Sequence, residues 1–271
     1  MTLGILTDIH HNSQDAFPKI CSEALPLMKS AMERFSLEEV DLVVDLGDRI
    51  DDRGKGLDLK LAHDVAGAFR RYRSPCEHLM GNHDSYFMTP SDWENVLGRP
   101  VQSRSWVIDG NRLVFFAADV DNGRGARDYS LRDAELEWLE RELARDDRDT
   151  ILFTHVPLMA GSMTGHYYFE NKPGRAAFLN SIQARAIIER TGSVQLVVSG
   201  HVHWNSWGCC NGVHYVTLQS LTESFTTGGK ACGAHSVLHI GSNEIRIRVL
   251  GADPIEFVLP RRLSGSRWVE P

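Results

Sequence analysis

Long apolar runs, a basic excess and paired cysteines are all missing from this chain of 271 residues. No run approaches the roughly 18 apolar residues that a membrane helix needs, so we expect no membrane partner. The formal net charge of -7 offers no bulk attraction for nucleic acid, so we expect no nucleic acid polymer as a partner. A metal site would still bind an anionic substrate, because two divalent ions reverse the local field.

The cysteines and the N-terminal residues argue against a secreted, disulfide-rich protein. The chain has five cysteines, an odd number, with Cys209 and Cys210 adjacent and no C-x-x-C spacing. Residues 1–6 contain no basic segment followed by a long apolar stretch and a cleavage site, so we expect no secretory signal. This usage favours reduced thiols in a cytoplasmic protein over a disulfide framework.

Apolar strands alternate with helical patterns in the first 80 residues. Strands are predicted at 3–7, 40–46 and 76–80, and helices at 22–35 and 57–72, where apolar side chains recur at helical spacing. Because helices and strands alternate, this part of the chain is predicted to form a largely parallel sheet.

The rest of the chain adds a hairpin and a run of antiparallel strands. Asp109-Gly110-Asn111-Arg112 is a good hairpin turn between strands at 105–108 and 113–117. Ser130 and Asp133 resemble a capping box that opens a helix at 131–145, and a second helix is predicted near 176–190. Further strands are predicted at 151–153, 194–198, 213–218, 236–240 and 244–250. We therefore expect one α/β domain, residues 1–260, with two packed sheets and helices outside, followed by a polar tail at 261–271.

Five short motifs place metal-binding side chains directly after apolar runs. They are Thr7-Asp8-Ile9-His10, Gly47-Asp48, Gly81-Asn82-His83-Asp84, Thr154-His155 and Gly200-His201-Val202-His203. In open α/β sheets, ligands bind beyond the carboxyl ends of the strands, which is where these motifs lie. Carboxylate, imidazole and amide oxygen without thiolate suit manganese, iron or zinc. The pattern therefore predicts hydrolysis of phosphate esters at a centre of two divalent metal ions.

At these residues the chain resembles the calcineurin-like metallophosphoesterases, whose pattern is D-x-H, G-D, G-N-H-[DE], H and G-H-x-H. The match spans positions 8 to 203 with no member missing. The resemblance implies a four-layer αββα sandwich of two mixed sheets with helices on both outer faces. It also implies, position by position, one metal ion held by Asp8, His10 and His203, another held by Asn82, His155 and His201, and Asp48 as the bridge between them.

The same resemblance implies that a hydroxide bridging the two ions attacks phosphorus in line. His83 would protonate or polarise the leaving oxygen, and Asp84 would orient His83. The residues themselves support these roles, because water between two divalent cations loses a proton near neutral pH and histidine suits general-acid work there. His83 directly follows Asn82, so its ring points elsewhere than the metal-binding amide.

Several side chains near the motifs are candidates for contact with substrate. They are His11, Arg49, His166, Tyr168, Trp204 and Asn205. Asp51 is expected to support the ligands rather than to bind metal. The long loop at 159–173 is either a lid over the site or a segment whose aromatic side chains pack against the body. The polar loop at 119–125 is a further candidate for the edge of the pocket.

Two branches of the family share local features with this chain. The segment Tyr129-Ser130-Leu131 with Trp138-Leu139 is similar to bacterial cyclic-nucleotide and glycerophosphodiester phosphodiesterases. Residues 212–219 are similar to manganese-dependent ADP-ribose/CDP-alcohol diphosphatases. The expected function is therefore hydrolysis of a small phosphodiester, with a nucleotide diphosphatase as the alternative. A phosphomonoesterase, a nuclease and a non-catalytic scaffold are less favoured, and a homo-oligomer is left open.

Overall fold

The computed structural model describes residues 1–72 and 74–262. Their strands form two six-stranded sheets, which we call sheet A and sheet B. Sheet A contains, in spatial order, β12 (Ile255–Pro260), β11 (Glu244–Leu250), β10 (His235–Ile240), β1 (Thr2–Leu6), β2 (Leu42–Asp45) and β3 (Cys76–His78). Sheet B contains β4 (Arg104–Ile108), β5 (Asn111–Phe115), β6 (Thr150–Thr154), β7 (Val194–Ser199), β9 (Val213–Thr217) and β8 (Ser206–Cys210).

Both sheets are mixed, with parallel and antiparallel pairs. In sheet A, β1, β2 and β3 run parallel, with Leu3 opposite Leu42, while β10, β11 and β12 continue the sheet in antiparallel pairs. In sheet B, β5, β6, β7 and β9 are parallel, and β4 and β8 close the two edges in antiparallel pairs. The parallel strands matter most for function, because their carboxyl ends carry the motifs.

Helices cover the outer face of each sheet. On sheet A lie α1 (Ala24–Leu37) and α2 (Lys55–Arg70), and on sheet B lie α5 (Asp133–Leu143) and α6 (Ser181–Thr191). The short helices α3 (Asn82–Ser85) and α4 (Pro90–Leu97) follow β3. Each of the four long helices buries one apolar stripe, as Met28 and Phe35 do in α1. The predicted α/β fold of two mixed sheets with helices on both outer faces is confirmed.

The main core lies between the two sheets. Leu3 and Ile5 of β1 face Phe115 and Phe153 of sheet B, whose rings stack with centroids 5.4 Å apart. Complete burial of each such side chain stabilises the fold by about 1.5–3 kcal/mol. Side chains alternate between faces along a strand, so Gly4 points to the helices. A Cβ at Gly4 would lie 2.7 Å from the ring of Phe35, so glycine leaves the space that this ring fills.

The hairpin and the helix starts test the local sequence signals. The predicted hairpin is present, but its turn is two residues shorter than predicted, because Asn111 already pairs with Ile108. The remaining turn residues, Asp109 and Gly110, have positive φ of 48° and 76°. The predicted capping box is wrong by two residues. The carboxylate that accepts the capping hydrogen bond belongs to Glu135 rather than Asp133, and its donor is the backbone N–H of Arg132, at 2.7 Å. The helix α5 therefore begins later than predicted.

Other helices and strands also differ from the predicted ones. The helix predicted at 176–190 begins at Ser181, and residues 173–175 form a separate 3-10 turn before it. The sequence analysis missed α4, β8 and β12. The two strands lie at sheet edges and leave apolar side chains such as Trp207 and Val258 about half exposed, so they lack the buried apolar run that marks the central strands.

The predicted C-terminal tail begins inside the described part of the chain. Arg261 donates to the carbonyl of Gly241, and Arg262 donates its amide to the side chain of Gln195 at 2.9 Å. Residues 263–271 lie outside the described residues, so the domain boundary at 260 stays a prediction. Within residues 1–72 and 74–262, no helix has both the length and the apolar character needed to cross a membrane.

Candidate metal centre

The five motifs converge at the carboxyl ends of parallel strands from both sheets. Backbone hydrogen bonds join their loops: Asp8 donates to Gly47 at 3.0 Å and His10 donates to Asp48 at 2.9 Å. The amide of His201 donates to the Asp8 carboxylate at 3.0 Å, which joins the loop after β1 to the loop after β7. We call the seven predicted ligands the floor of the site: Asp8, His10, Asp48, Asn82, His155, His201 and His203. All are buried.

One half of the floor groups a carboxylate with two imidazoles. The Nε2 atoms of His10 and His203 lie 3.0 Å apart, and the Asp8 carboxylate is 3.3 Å from His203 Nε2. Asp8, His10 and His203 offer donor atoms that all lie within 4.8 Å of one another. The structure therefore brings together the three residues predicted for one ion.

The other half groups an amide oxygen with two imidazoles. Asn82 Oδ1 lies 3.0 Å from His201 Nδ1 and 3.3 Å from His155 Nε2. The Asn82 amide nitrogen donates to the hydroxyl of Tyr86 at 3.0 Å, which turns the amide oxygen toward the two rings. These three residues are the ones predicted for the second ion.

Asp48 lies between the two halves. Its Oδ2 is 3.7 Å from His10 Nε2 and 3.5 Å from His155 Nε2, one histidine of each half. Its other oxygen accepts the backbone N–H of His83 at 2.8 Å, which fixes the carboxylate. One carboxylate oxygen facing both groups is the geometry that a bridging ligand requires.

Three of the four floor histidines turn their second ring nitrogen toward an acceptor outside the cluster. His155 Nδ1 faces the carbonyl of Leu46 at 3.0 Å, and His201 Nε2 faces the carbonyl of Arg175 at 2.9 Å. His203 Nδ1 faces the carboxylate of Glu223 at 3.0 Å. His10 is the exception: its Nδ1 lies 3.5 Å from the Lys19 ammonium, a donor, and 3.9 Å from Asp51, which contacts Lys19. Acceptors such as those of His155, His201 and His203 fix the tautomer that leaves a nitrogen lone pair for a metal.

The backbone of the floor is strained. Five of its members have positive φ, a conformation that costs free energy for any residue except glycine: Asp8 at 50°, His10 at 47°, Asp48 at 54°, His201 at 70° and His203 at 57°. Clusters of such residues mark functional sites, because the surrounding fold must hold them in place.

The glycines of the motifs are needed mainly for close approach. Gly47 does have a left-handed φ of 106°. At Gly81 a Cβ would lie 2.1 Å from the Asp48 carboxylate, and at Gly200 it would lie 2.6 Å from the Asp8 carboxylate. Of these three glycines, Gly47 therefore has the backbone conformation that favours glycine, whereas Gly81 and Gly200 leave room for the carboxylates.

The electrostatics of the floor favour bound positive charge. Burial opposes protonation of His155 and His203, yet the carboxylates of Asp48 and Asp8 raise their pKa to about 9. Burial and the neighbouring His155 lower the pKa of His201 to about 4. Two buried carboxylates thus stabilise a cation in their midst. Hard oxygen donors with imidazole nitrogen suit divalent ions of the manganese, iron and zinc type, so the residues present fit the predicted metal centre.

His83 lies beside the floor, and its partner differs from the predicted one. His83 Nδ1 is 2.6 Å from Asp52 Oδ1, and the His83 side chain is 25% exposed. Asp84 does not have the orienting role that the sequence predicted. Its carboxylate instead accepts the backbone N–H groups of Gly81 and Asp48, each at 2.9 Å. The single helical turn after Gly81 sends neighbouring side chains in different directions, so adjacency in sequence misled the prediction.

Arg49 does not reach the substrate pocket either. Its guanidinium is fully buried and pairs with Asp45 and Asp84 on the far side of the floor. Burial raises the pKa of Asp84 to about 6, with Arg49 opposing the shift and Asp48 adding to it. Arg49 and Asp84 therefore hold the loops after β2 and β3 together, rather than contacting phosphate.

Four more predicted substrate contacts point away from the pocket. His11 faces Asp64 of α2 at 3.6 Å, and Asn205 hydrogen-bonds Gln219. His166 is buried, with Nε2 2.8 Å from the carbonyl of Val202, and Trp204 packs edge-on against it. These side chains support the loops around the site instead of lining it.

A cavity of about 440 Å³ opens above the floor. Tyr168 lines it, as the sequence predicted, and so do five residues that the sequence analysis did not single out. We call these six the mouth: Lys19, Tyr86, Asn122, Arg124, Tyr168 and Arg175. Asn122 and Arg124 belong to the polar loop at 119–125 that the sequence had placed near the pocket. No motif contains Lys19, Tyr86 or Arg175, although Tyr86 directly follows the short helix α3.

The loop at 159–173 both packs and lines the cavity. Met163 and Phe169 form a small apolar cluster with Ala176 and Val202 of the body. Tyr167, Tyr168 and Phe169 line the cavity at the same time. The packing alternative that the sequence left open therefore holds for part of this loop, and its aromatic side chains also form one wall of the site.

Comparison with known proteins gives one family. Residues 1–205 match the family model described as calcineurin-like phosphoesterase. The chain is 26% identical over 167 residues to a 3',5'-cyclic adenosine monophosphate phosphodiesterase of Escherichia coli, covering 61% of this chain and 55% of that protein. It therefore spans about half the length of that relative. A probable cyclic nucleotide phosphodiesterase of Fibrobacter succinogenes is 22% identical over 206 residues, 75% of this chain and 73% of that protein.

Among solved structures, a dimetal phosphatase from Danio rerio has the same fold. It superposes with a TM-score of 0.78 at 14% identity, covering 96% of this chain and 99% of that one. The family match includes all five motifs and therefore every residue of the floor. The chain belongs to the calcineurin-like phosphoesterase family.

Proposed function

We propose that this chain is a metal-dependent phosphoric ester hydrolase that acts on a small phosphodiester. The observation that carries the proposal is the convergence of the floor, with Asp48 Oδ2 within 3.7 Å of one histidine from each half. The two half-sites fit two divalent ions, which we expect to be manganese, iron or zinc. When bound, such ions supply an activated water and neutralise the charge of the phosphoryl group.

The residues around the floor would orient the ester and supply the proton that its leaving group needs. Asp52 holds His83 through Nδ1, which leaves the other ring nitrogen for the leaving oxygen. Lys19 contacts Asp51 beside His10, so a cation stands next to the half-site of Asp8. We infer that His83 donates a proton to the departing alkoxide, as a histidine can do near neutral pH.

The size of the cavity supports a small substrate. About 440 Å³ lies within the range of roughly 300–1,000 Å³ typical of sites for small molecules. The names of the two curated relatives support a cyclic nucleotide as the diester, and a glycerophosphodiester has similar chemistry. A nuclease stays less favoured because of the net charge of -7. A scaffold is less favoured because every member of the floor is present.

One observation favours the alternative, a nucleotide diphosphatase acting on ADP-ribose or CDP-alcohol types of pyrophosphate. The mouth adds the cations Lys19, Arg124 and Arg175 to the positive charge of two metal ions. Arg124, whose φ is 57°, pairs with Asp52 at 3.1 Å. Because Asp52 also contacts His83, Arg124 lies on the same side of the cavity as His83. Cations there suit a leaving group that carries a second phosphate.

A panel of esters separates these functions. The protein is stripped with a chelator, reloaded with Mn²⁺, and assayed on bis(p-nitrophenyl) phosphate, cyclic nucleotides, glycerophosphodiesters, ADP-ribose and a phosphomonoester. We expect diester hydrolysis that disappears on chelation and returns with Mn²⁺. Activity that survives complete metal removal would overturn the proposal, and preference for ADP-ribose would select the alternative. The oligomeric state and the cytoplasmic location stay predictions.

A further inference from the structure

Glu223 is a buried acidic residue that no motif includes. It lies in the loop between β9 and β10, beyond the residues of the family match, and it is 0% exposed. Oε1 accepts the backbone N–H groups of Ser224 and Phe225, at 2.9 and 3.0 Å. Oε2 faces His203 and Tyr167. Within the described ranges, His203 is the one side chain that forms an ion pair with Glu223. A buried carboxylate without lysine or arginine is costly unless it has a compensating partner.

The contact with His203 compensates for the cost of burying the Glu223 carboxylate. His203 Nδ1 lies 3.0 Å from Glu223 Oε2, while Nε2 of the same ring points into the floor, 3.3 Å from Asp8. His155 and His201 face neutral carbonyls in the equivalent position, those of Leu46 and Arg175. A carboxylate accepts a stronger hydrogen bond than a carbonyl and makes the ring a better metal ligand.

Tyr167 also contacts this oxygen of the Glu223 carboxylate. Its hydroxyl donates to Glu223 Oε2 at 2.9 Å, and its ring packs against Phe225 with centroids 5.2 Å apart. Tyr167 belongs to the loop at 159–173, which forms a wall of the cavity. Its neighbour His166 contacts the carbonyl of Val202, the residue between the two histidines of the last motif. The loop is thus tied to the last motif at two points.

We propose that Glu223 positions His203 for metal binding, and that Tyr167 couples the loop at 159–173 to the metal centre through the same carboxylate oxygen. This inference rests on the metal centre of the proposed function, and it adds a link from that centre to the wall of the cavity. Coupling of this kind is reciprocal. Metal binding should order the loop, and loss of the Tyr167 hydroxyl should weaken metal binding.

The test is Mn²⁺ affinity, measured on the full chain by competition with a chromophoric chelator. Glu223→Gln keeps the size of the side chain and removes its charge, so we expect one of the two ions to bind roughly 10- to 100-fold more weakly. Tyr167→Phe removes one hydrogen bond, and we expect a loss of roughly 2- to 10-fold. Tyr215→Phe is the matched control, because the Tyr215 hydroxyl donates to the carboxylate of Glu189, outside the metal centre. It should bind Mn²⁺ like the wild type.

A double variant distinguishes positioning from general destabilisation. With Glu223→Gln in place, Tyr167→Phe should have no further effect on Mn²⁺ affinity, because both act through one carboxylate. Metal-free Tyr167→Phe should lose no more thermal stability than metal-free Tyr215→Phe, because each loses one hydrogen bond to a glutamate. Mn²⁺ should protect the loop at 159–173 from proteolysis in the wild type more than in Tyr167→Phe. If Glu223→Gln does not fold, the comparison of Tyr167→Phe with Tyr215→Phe still tests the inference.

Three outcomes would overturn the inference. They are wild-type affinity in Tyr167→Phe, equal losses in Tyr167→Phe and Tyr215→Phe, and additive losses in the double variant. A wild-type protein that binds no Mn²⁺ would overturn the proposed function together with this inference. Normal Mn²⁺ binding in the wild type with unaffected variants would overturn only the inference.

Discussion

The floor and the mouth of the site differ in burial and in origin. Floor residues are at most 7% exposed, and they follow strands of both sheets. Most mouth residues come from long loops, and the Arg124 side chain is 53% exposed. A buried, strained floor suits one chemical task, since its geometry has little freedom to change. An exposed mouth can change its side chains without disturbing the sheets, so we expect it to select the substrate.

The largest expected effect is on the floor, at its shared ligand. Asp48→Asn should leave fewer than two metal ions per chain and lower activity to the metal-free background, because one carboxylate faces both halves. Elemental analysis and the rate with bis(p-nitrophenyl) phosphate measure both quantities. Asp133→Asn, an exposed change in α5, is the control. Full metal occupancy with a normal rate would mean that the bridge is elsewhere.

At the border of floor and mouth, His83→Ala should keep the metals and lower turnover by roughly 10²–10⁴, the usual range for a general acid. The loss should be largest for an alkoxide leaving group of high pKa, which needs a proton, and smallest for p-nitrophenolate. The measurement is the turnover rate with both ester types in the wild type and in His83→Ala. His63→Ala, an exposed change in α2, should have no effect. Equal losses with both esters would argue that His83 binds phosphate or supports the metals.

Asp52→Asn should have a smaller effect, up to about 10²-fold, because it loosens the orientation of His83 without removing the ring. The test compares the turnover of Asp52→Asn with that of the Asp52→Asn/His83→Ala double variant. In the His83→Ala background, Asp52→Asn should change turnover little, since the two side chains act as a unit. Independent losses that multiply would show that Asp52 has a separate role, for instance through its pair with Arg124.

The smallest effect is expected in the mouth. Arg124→Met should lower kcat/KM for a pyrophosphate such as ADP-ribose by about tenfold, the lower end for a hydrogen bond to a charged group at a half-exposed site. For a diester whose alcohol groups carry no charge, kcat/KM should fall less, and the metal content should stay normal. Arg127→Met, an exposed change two residues beyond the loop at 119–125, is the control. The same loss for both substrates would remove Arg124 from substrate selection.

The floor was predictable from sequence because metal chemistry restricts residue types and the ends of strands restrict their places. The order of apolar runs and the five motifs predicted all seven residues that the structure brings together. The partners of those residues were less predictable. Asp84 follows His83 closely in the chain, yet Asp52, at a separation of 31 residues, is its partner. Arg49 adjoins Asp48, yet it is buried among carboxylates on the far side.

The sequence by itself determined the alternation of strands and helices and the chemistry of the floor, because both arise from short-range patterns. Only the tertiary structure decided which groups stand behind and above the floor. Glu223 meets Tyr167 across a separation of 56 residues, and Arg175 meets Gly125 across 50. Such contacts form where loops from distant parts of the chain close over one edge of the sheets, and no local pattern encodes which side chains will meet there.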